Sequence, residues 1–137
     1  VVTIRALLER WMIGRAPVLR VRGYLLRWRL FPRNRWCNAY LHRFRDSDDP
    51  VPHDHPYRNV SVILAGRYLE HYQDGTAALR RPGSLVVRGS HMTHWLEVID
   101  GPVWSVFIHG PRIREWGFDH PMRGWIHHET YKKEEGR

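Results

Sequence analysis

Cysteine is almost absent from the 137 residues. Cys37 stands alone, so no disulfide can form within the chain and a reducing compartment is the expectation. Long apolar runs are missing as well. None approaches the ~20 residues that span a bilayer, so no membrane partner is expected. The first residues lack the charged-then-apolar pattern of a secretory signal, which makes the cytoplasm the expected location. There is no glycine-rich phosphate loop, no internal repeat, no low-complexity tract and no convincing Ser-His-Asp arrangement. Acid is scarce in one place only: residues 1–45 hold eleven arginines against the single carboxylate Glu9, whereas the remainder is close to neutral. The net charge of +8 therefore belongs to the N-terminal third. Such a surface can meet nucleic acid or an acidic protein, but no nucleic-acid motif accompanies it, and a solvated arginine face is the simpler reading.

What is present suits one globular domain, with 42% hydrophobic and 26% charged residues. Residues 3–13 space Ile4, Leu7, Leu8, Trp11 and Met12 as one apolar helix face, closed by Gly14 and Pro17. Residues 18–35 have no clean period; their aromatics are expected to cover the domain while arginines such as Arg27 and Arg29 reach outward. Residues 1–35 thus read as a basic extension carrying one helix, and 36–137 as an all-β domain. Trp36, Asn38, Tyr40, His42 and Phe44 alternate in one strand. A turn at 46–52 follows. NVSVILAGRYLEHY reads as a hairpin turning at Ala65-Gly66. Ser84–Arg88, Thr93–Ile99 and Val103–His109 are further short strands, the last two separated by Asp100-Gly101-Pro102. Frequent turns between short strands argue for a sandwich or barrel. The tail after Pro111, with Trp116 and Trp125, reads as an irregular aromatic flap.

The chemistry gathers at HDHPYRN. His53 and His55 share parity, so an extended chain points both imidazoles to one face. Their spacing fits neither a zinc finger nor a helical zinc protease. A third ligand has to come from afar, and His91 and His94 are the candidates.

On these residues the chain resembles the cupin superfamily. Its first motif runs His-x-His, three or four residues, Glu, six residues, Gly; here His53, His55, Asn59 and Gly66 take those positions, with Asn59 where the glutamate belongs. The second motif runs from a glycine, through Pro-x-Gly, to a histidine. Gly83 and His94 match its ends, while Gly89 and His91 stand where the proline and second glycine belong. LHRFRDSDD, RRPGSLVVRGSHMTHWLEV and PRIREWGF add to a likeness with small single-domain bacterial and phage-encoded cupins, over about residues 38–131. The resemblance implies a double-stranded β-helix (jelly-roll-like) barrel with His53, His55 and His94 holding one divalent metal at its mouth, and it leans toward a homodimer.

Three imidazoles leave coordination positions open, as catalytic ions need; Fe(II), Zn, Ni, Mn and Co all fit. Without a carboxylate ligand the site keeps a charge of +2, which suits an anionic substrate. Cupin-type thiol dioxygenases resemble this ligand set, and Fe(II) is the expected ion. Glu70 is the one replacement carboxylate: a two-residue hairpin at Ala65-Gly66 pairs it with Ser61 and turns it, with Tyr68 and Tyr72, toward the histidines. Tyr57, Asn59 and His109 are expected as further contacts to substrate or ligands. Cys37 is expected to pack as a small apolar residue. Arg67, Arg112 and Arg114 are weaker candidates for holding a carboxylate or phosphate.

The expected function is a metal-dependent, iron-type dioxygenase or oxygenase acting on a small polar or anionic molecule. Two other readings remain open: a cupin-type isomerase or epimerase, and a non-catalytic ligand-binding module whose basic N-terminal region contacts a partner.

Overall fold

The structure, a computed structural model, describes residues 1–21, 25–48 and 50–135. Residues 22–24 of the arginine-rich segment, position 49 in the expected 46–52 turn, and 136–137 lie outside the described residues. No helix among the described residues is long and apolar enough to cross a membrane.

Helix α1 (Ile4–Met12) starts where the Thr3 hydroxyl accepts from the Ala6 amide at 3.1 Å. Its apolar face is narrower than the sequence spacing implies. Leu8, Trp11 and Met12 pack onto the sheet, whereas Ile4 and Leu7 are exposed. Two strands follow, β1 (Leu19–Val21) and β2 (Leu25–Arg29), from the segment that lacks a clean period. They join the main sheet through β3 (Asn38–Phe44), so this part of the basic extension is structural. Trp28 turns to the α1 side and is buried, while Arg27 and Arg29 pair with His42 and Tyr40 on the opposite, inner face. Phe31 and Trp36 are exposed, as is Cys37, which does not pack as expected.

The long strands β4 (Asn59–Tyr72) and β7 (His94–His109) run antiparallel along almost their whole length. β3 extends the sheet on the far side of β7, and β5 (Ala77–Arg80) and β6 (Leu85–Arg88) pair with the two halves of β4.

The expected hairpin at Ala65-Gly66 does not form. β4 runs straight through it, and the pairing with β7 slips between Ile63 and Tyr68. Gly66 has φ +82, and a Cβ there would meet the Asp100 and Pro102 carbonyl oxygens at 2.7 and 2.8 Å. A glycine at positive φ serves a bulge as well as a turn, and here it lets two strands bend together against each other. The facing bend is Asp100-Gly101-Pro102, with a cis peptide before Pro102, so the two expected strands around it are one.

The tail after Pro111 is ordered, contrary to the expected irregular flap. β8 (Gly117–His120) and β9 (Gly124–His127) form a hairpin, followed by α2 (His128–Glu134). Phe118, Ile126 and Tyr131 make a small core of their own with Val51 and Trp116. Strands of four residues show too few alternations to be read as strands from sequence.

Two larger apolar clusters lie on opposite faces of the sheet. Trp28, Leu41, Ala65 and Trp104 are roofed by α1. Phe44, Ile63, Tyr68 and Val103 fill one end of the inner face. The other end of that face is polar.

Candidate metal centre

The HDH segment is a short extended piece held on two sides. His53 exchanges backbone hydrogen bonds with His94, N–H to O=C at 2.8 and 3.0 Å, and is also bridged to Phe118 of β8. Directly paired residues of antiparallel segments share a face, so this pairing alone brings His53 and His94 together. The period of two adds His55, whose amide donates to the Ser90 carbonyl. Ring centroids of the three lie 4.9–5.2 Å apart, and one nitrogen from each falls within 4.8 Å of the others. Of the two candidates for third histidine, the structure brings in His94; His91 is exposed.

Asp54, between the two histidines, must point the other way, and it is buried. It accepts from Arg114 Nη1 at 2.6 Å, Trp125 Nε1 at 2.9 Å and the Gly117 amide at 2.8 Å. The buried charge thus ties HDH to the C-terminal hairpin. Arg114, weighed as an anion holder, is committed to this brace.

Glu70 reaches the site by a route other than the one expected. Its strand partners are Leu96 and Ala78, not Ser61. The bulges reverse the parity of β4, so Ser61 and Glu70 still face inward. Glu70 is fully buried, and Oε2 accepts from His94 Nδ1 at 2.6 Å and from Arg88 Nε at 2.5 Å. Oε1 accepts from Arg80 Nε at 3.0 Å. Burial pushes the Glu70 carboxyl up, but the hydrogen bonds from His94 and Arg88 and the Arg88 charge outweigh it and hold the group well below the usual carboxylate range.

Asn59 does not enter the histidine group. Its Oδ1 accepts from Arg88 Nη1 at 3.2 Å, and the same nitrogen donates to Ser61 Oγ at 2.8 Å. Arg88 Nη2 donates to the Tyr68 hydroxyl. Where a carboxylate was expected, an amide therefore helps to seat an arginine that itself holds the displaced carboxylate. Glu70 supplies one negative charge beside two guanidiniums, while Asp48 and Asp54 add carboxylate charge on the His53 side.

Burial lowers the pKa of all three histidines: His53 below its ordinary value, His55 well below it, and His94 to about 4 despite the opposing hydrogen bond it donates to Glu70. They are neutral at pH 7, the form that ligates metal. His55 Nδ1 is buried with no hydrogen-bond partner among the described residues. An orphaned imidazole nitrogen beside two other neutral imidazoles is a donor set that fits a divalent cation.

Tyr57 and His109 lie next to the triad rather than in it. Their rings stack at 3.8 Å, and the Tyr57 ring is 6.2 Å from that of His55. His42 is buried, accepts from Arg27 Nε at 2.9 Å and stacks on Phe107. Arg67 is exposed. A second group, Glu115 with His127 and His128, lies on the outside, where Glu115 is shared with Arg112.

The sequence did not single out Arg88, Arg80 or Asp54, and Arg27, expected to reach outward, turns to the inner face and donates to His42. The signal for Asp54 was its parity, opposite to two inward histidines. For Arg88 it was the inward parity of a strand expected to alternate.

No protein-family model and no curated protein matches the chain. Solved structures do. KdgF from Halomonas sp. superposes with a TM-score of 0.58 at 17% identity, covering 69% of this chain and 86% of that one. An RmlC-like cupin from Shewanella frigidimarina gives 0.58 at 18% identity, covering 71% and 85%. The DMSP lyase DddQ from Ruegeria pomeroyi gives 0.56 at 17% identity over 70% of this chain, which spans about half (52%) of that enzyme. Identities this low carry the architecture alone, and that architecture is plain: the chain has the double-stranded β-helix fold of the cupins.

Proposed function

We propose that His53, His55 and His94 hold one divalent ion, Fe(II) in the favoured reading, and that the protein is a cupin oxygenase of the dioxygenase type acting on a small anionic molecule. The observation that carries this is the triad of neutral imidazoles, His94 buried and His53 and His55 half-buried, with no carboxylate among its ligand atoms. When bound, the ion supplies Lewis acidity and open coordination positions.

The chain's own residues do the rest. Glu70 accepts the Nδ1 proton of His94, which fixes the tautomer and leaves Nε2 unprotonated for the ion. Arg88 and Arg80 hold Glu70 as a carboxylate and occupy its oxygens, so Glu70 is a positioning residue rather than a ligand or a base. Phe107, Trp116 and Phe118 wall the triad with apolar rings and exclude water around it. Tyr57 and His109 form the border on which substrate enters.

A redox-neutral elimination or isomerisation is the second reading, favoured by the DMSP lyases among the structural neighbours. Metal analysis of protein purified without added metal, with oxygen uptake on candidate thiols, diketones and aromatic acids, separates the two. Iron with substrate-dependent oxygen uptake is expected, both abolished in a His53→Ala/His55→Ala pair. Turnover without oxygen consumption would move the assignment to the lyase or isomerase class. Protein that binds no divalent metal would leave only the ligand-binding module.

A further inference from the structure

A cleft of about 780 Å³ opens near the triad, and its lining gathers five arginines and three aromatic rings. β2 offers Arg27 and Arg29, the loop before β3 offers Arg33 and Arg35, and Arg112 stands on the opposite rim. Tyr40, Tyr57 and His109 are stacked along its floor. Among the described residues, no carboxylate lines it. Among the described residues, Arg112 is the one of the five guanidiniums with an acidic partner, Glu115. Arg27 is fixed in place: it donates from Nε to His42, lies over the Tyr40 ring at 4.5 Å and reaches the Tyr57 hydroxyl, so its charge is held at the floor of the cleft. The gathered charge is felt locally, since burial and then the charges of Arg27 and Arg33 hold the His109 pKa below its ordinary value, against a hydrogen bond to the Gly110 carbonyl.

The loop that carries Arg33 and Arg35 is tied down by its asparagines. Asn34 Oδ1 accepts from the Trp36 and Cys37 amides at 2.9 Å each, and Asn34 Nδ2 donates to the Cys37 carbonyl at 2.8 Å. Asn38 Nδ2 donates to the Asn34 carbonyl at 2.6 Å, and its Oδ1 accepts from the Asn34 amide at 3.0 Å. Like charges collected in a braced loop cost folding energy through mutual repulsion, a cost that a bound anion reverses.

We propose that this cleft is a subsite for a small molecule carrying two or more phosphoryl or carboxylate groups. Guanidinium forks bind both groups bidentately. Four arginines without acidic partners leave a single negative charge under-matched, so the site favours multiply charged anions over monoanions. The volume suits a small organic ligand rather than a lone ion. Tyr57 belongs both to the lining of the cleft and to the surroundings of His55, its ring 6.2 Å from that imidazole, so the cleft borders the triad across one ring. As the substrate class of the proposed metal site the inference rests on that reading, but anion binding itself needs no metal and is measured without one.

Isothermal titration of pyrophosphate and of citrate, at fixed ionic strength, into dialysed wild-type protein, Arg29→Ala/Arg33→Ala and His53→Ala provides the test. Both arginines are exposed and without a protein hydrogen-bond partner, so the double variant is expected to keep the wild-type melting temperature. One-site binding is expected in the wild type and in His53→Ala, weakened about tenfold or more in the double arginine variant. Tighter pyrophosphate assigns phosphoryl groups and tighter citrate assigns carboxylates; either supports the subsite. No saturable binding of either probe overturns it, as does equal affinity in the arginine variant. Loss of binding in His53→Ala alone would place the anion at the histidine triad instead. Binding confined to a single-stranded RNA oligonucleotide would replace the small molecule by nucleic acid.

Discussion

On the face that β3 and β7 turn toward α1, Leu41, Trp104 and Val106 meet Trp28, Leu8 and Trp11 in an apolar layer. On the inner face the same two strands present Tyr40, His42, Ser105, Phe107 and His94, next to Glu70 and Arg88 of the neighbouring strands. Alternation along single strands therefore separates a fold-holding surface from a chemical one by the thickness of one sheet. The outer face is secured by area and ring packing: Trp104 is fully buried, stacks on Trp28 at 5.7 Å, and donates to Glu9 beneath the Arg43 guanidinium. The polar end of the inner face is secured by hydrogen bonds to buried charges, each of which costs stability if its partner is removed. The apolar face can be trimmed gradually, whereas the polar face fails as a network.

Acid is expected to break the comparison most strongly, because it acts on one face only. His42, His53, His55 and His94 all have folded-state pKa values below the unfolded value near 6.5, chiefly through burial. The unfolded chain therefore takes up protons first as pH falls. The stabilisation of the neutral histidines is complete above pH 6.5 and is lost progressively toward pH 4, where His94 itself titrates. The urea midpoint of metal-free protein should drop steadily from pH 7.5 to 5; a flat profile would mean that these rings are solvated.

Trp104→Ala comes next, with an expected loss of about 3–5 kcal/mol in urea denaturation. Metal stoichiometry of the fraction that remains folded should be unchanged, since the ring faces α1. Glu70→Gln is expected to cost roughly 2–3 kcal/mol, because Arg88 is left buried beside a neutral amide. It should also weaken metal affinity roughly 10–100-fold by releasing the His94 tautomer. Unaltered metal affinity would show that the carboxylate serves folding only. The smallest effect is expected from Glu9→Gln. This sole acid of the N-terminal third accepts from both Arg43 Nε and Trp104 Nε1 at 2.9 Å, and about 1 kcal/mol should be lost, visible as easier proteolysis near α1.

Much of this was legible in the residue order. Spacing placed His53 and His55 on one face, and motif distance selected His94. The inward orientation of Glu70 was also reached, although through a hairpin that does not exist. Ala65-Gly66 signals a glycine at positive φ, and that signal is shared by a turn and a bulge. Either one reverses parity between Ser61 and Glu70, so the side-chain direction survived while the strand pairing did not. Gly101-Pro102 misled in the same manner. The strands β8 and β9 were missed because four residues are too short to display a period.

The residue types and their periods suffice for an all-β domain, a helix at 4–12, and a pair of histidines meant to share a partner, because these depend on local alternation and on motif spacing. Which groups surround that pair depends on long-range pairing. His53 meets His94 through backbone bonds across forty-one residues of chain. Arg88 and Glu70 find each other from separate strands of one sheet. Of the arginines that seemed a solvated basic face, Arg43 pairs with Glu9 and Arg27, Arg29, Arg33 and Arg35 line a cleft. Charge can be counted along a chain, but its partner is set by the register in which distant strands close, and here that register decided which cations meet a carboxylate and which line a cleft without one.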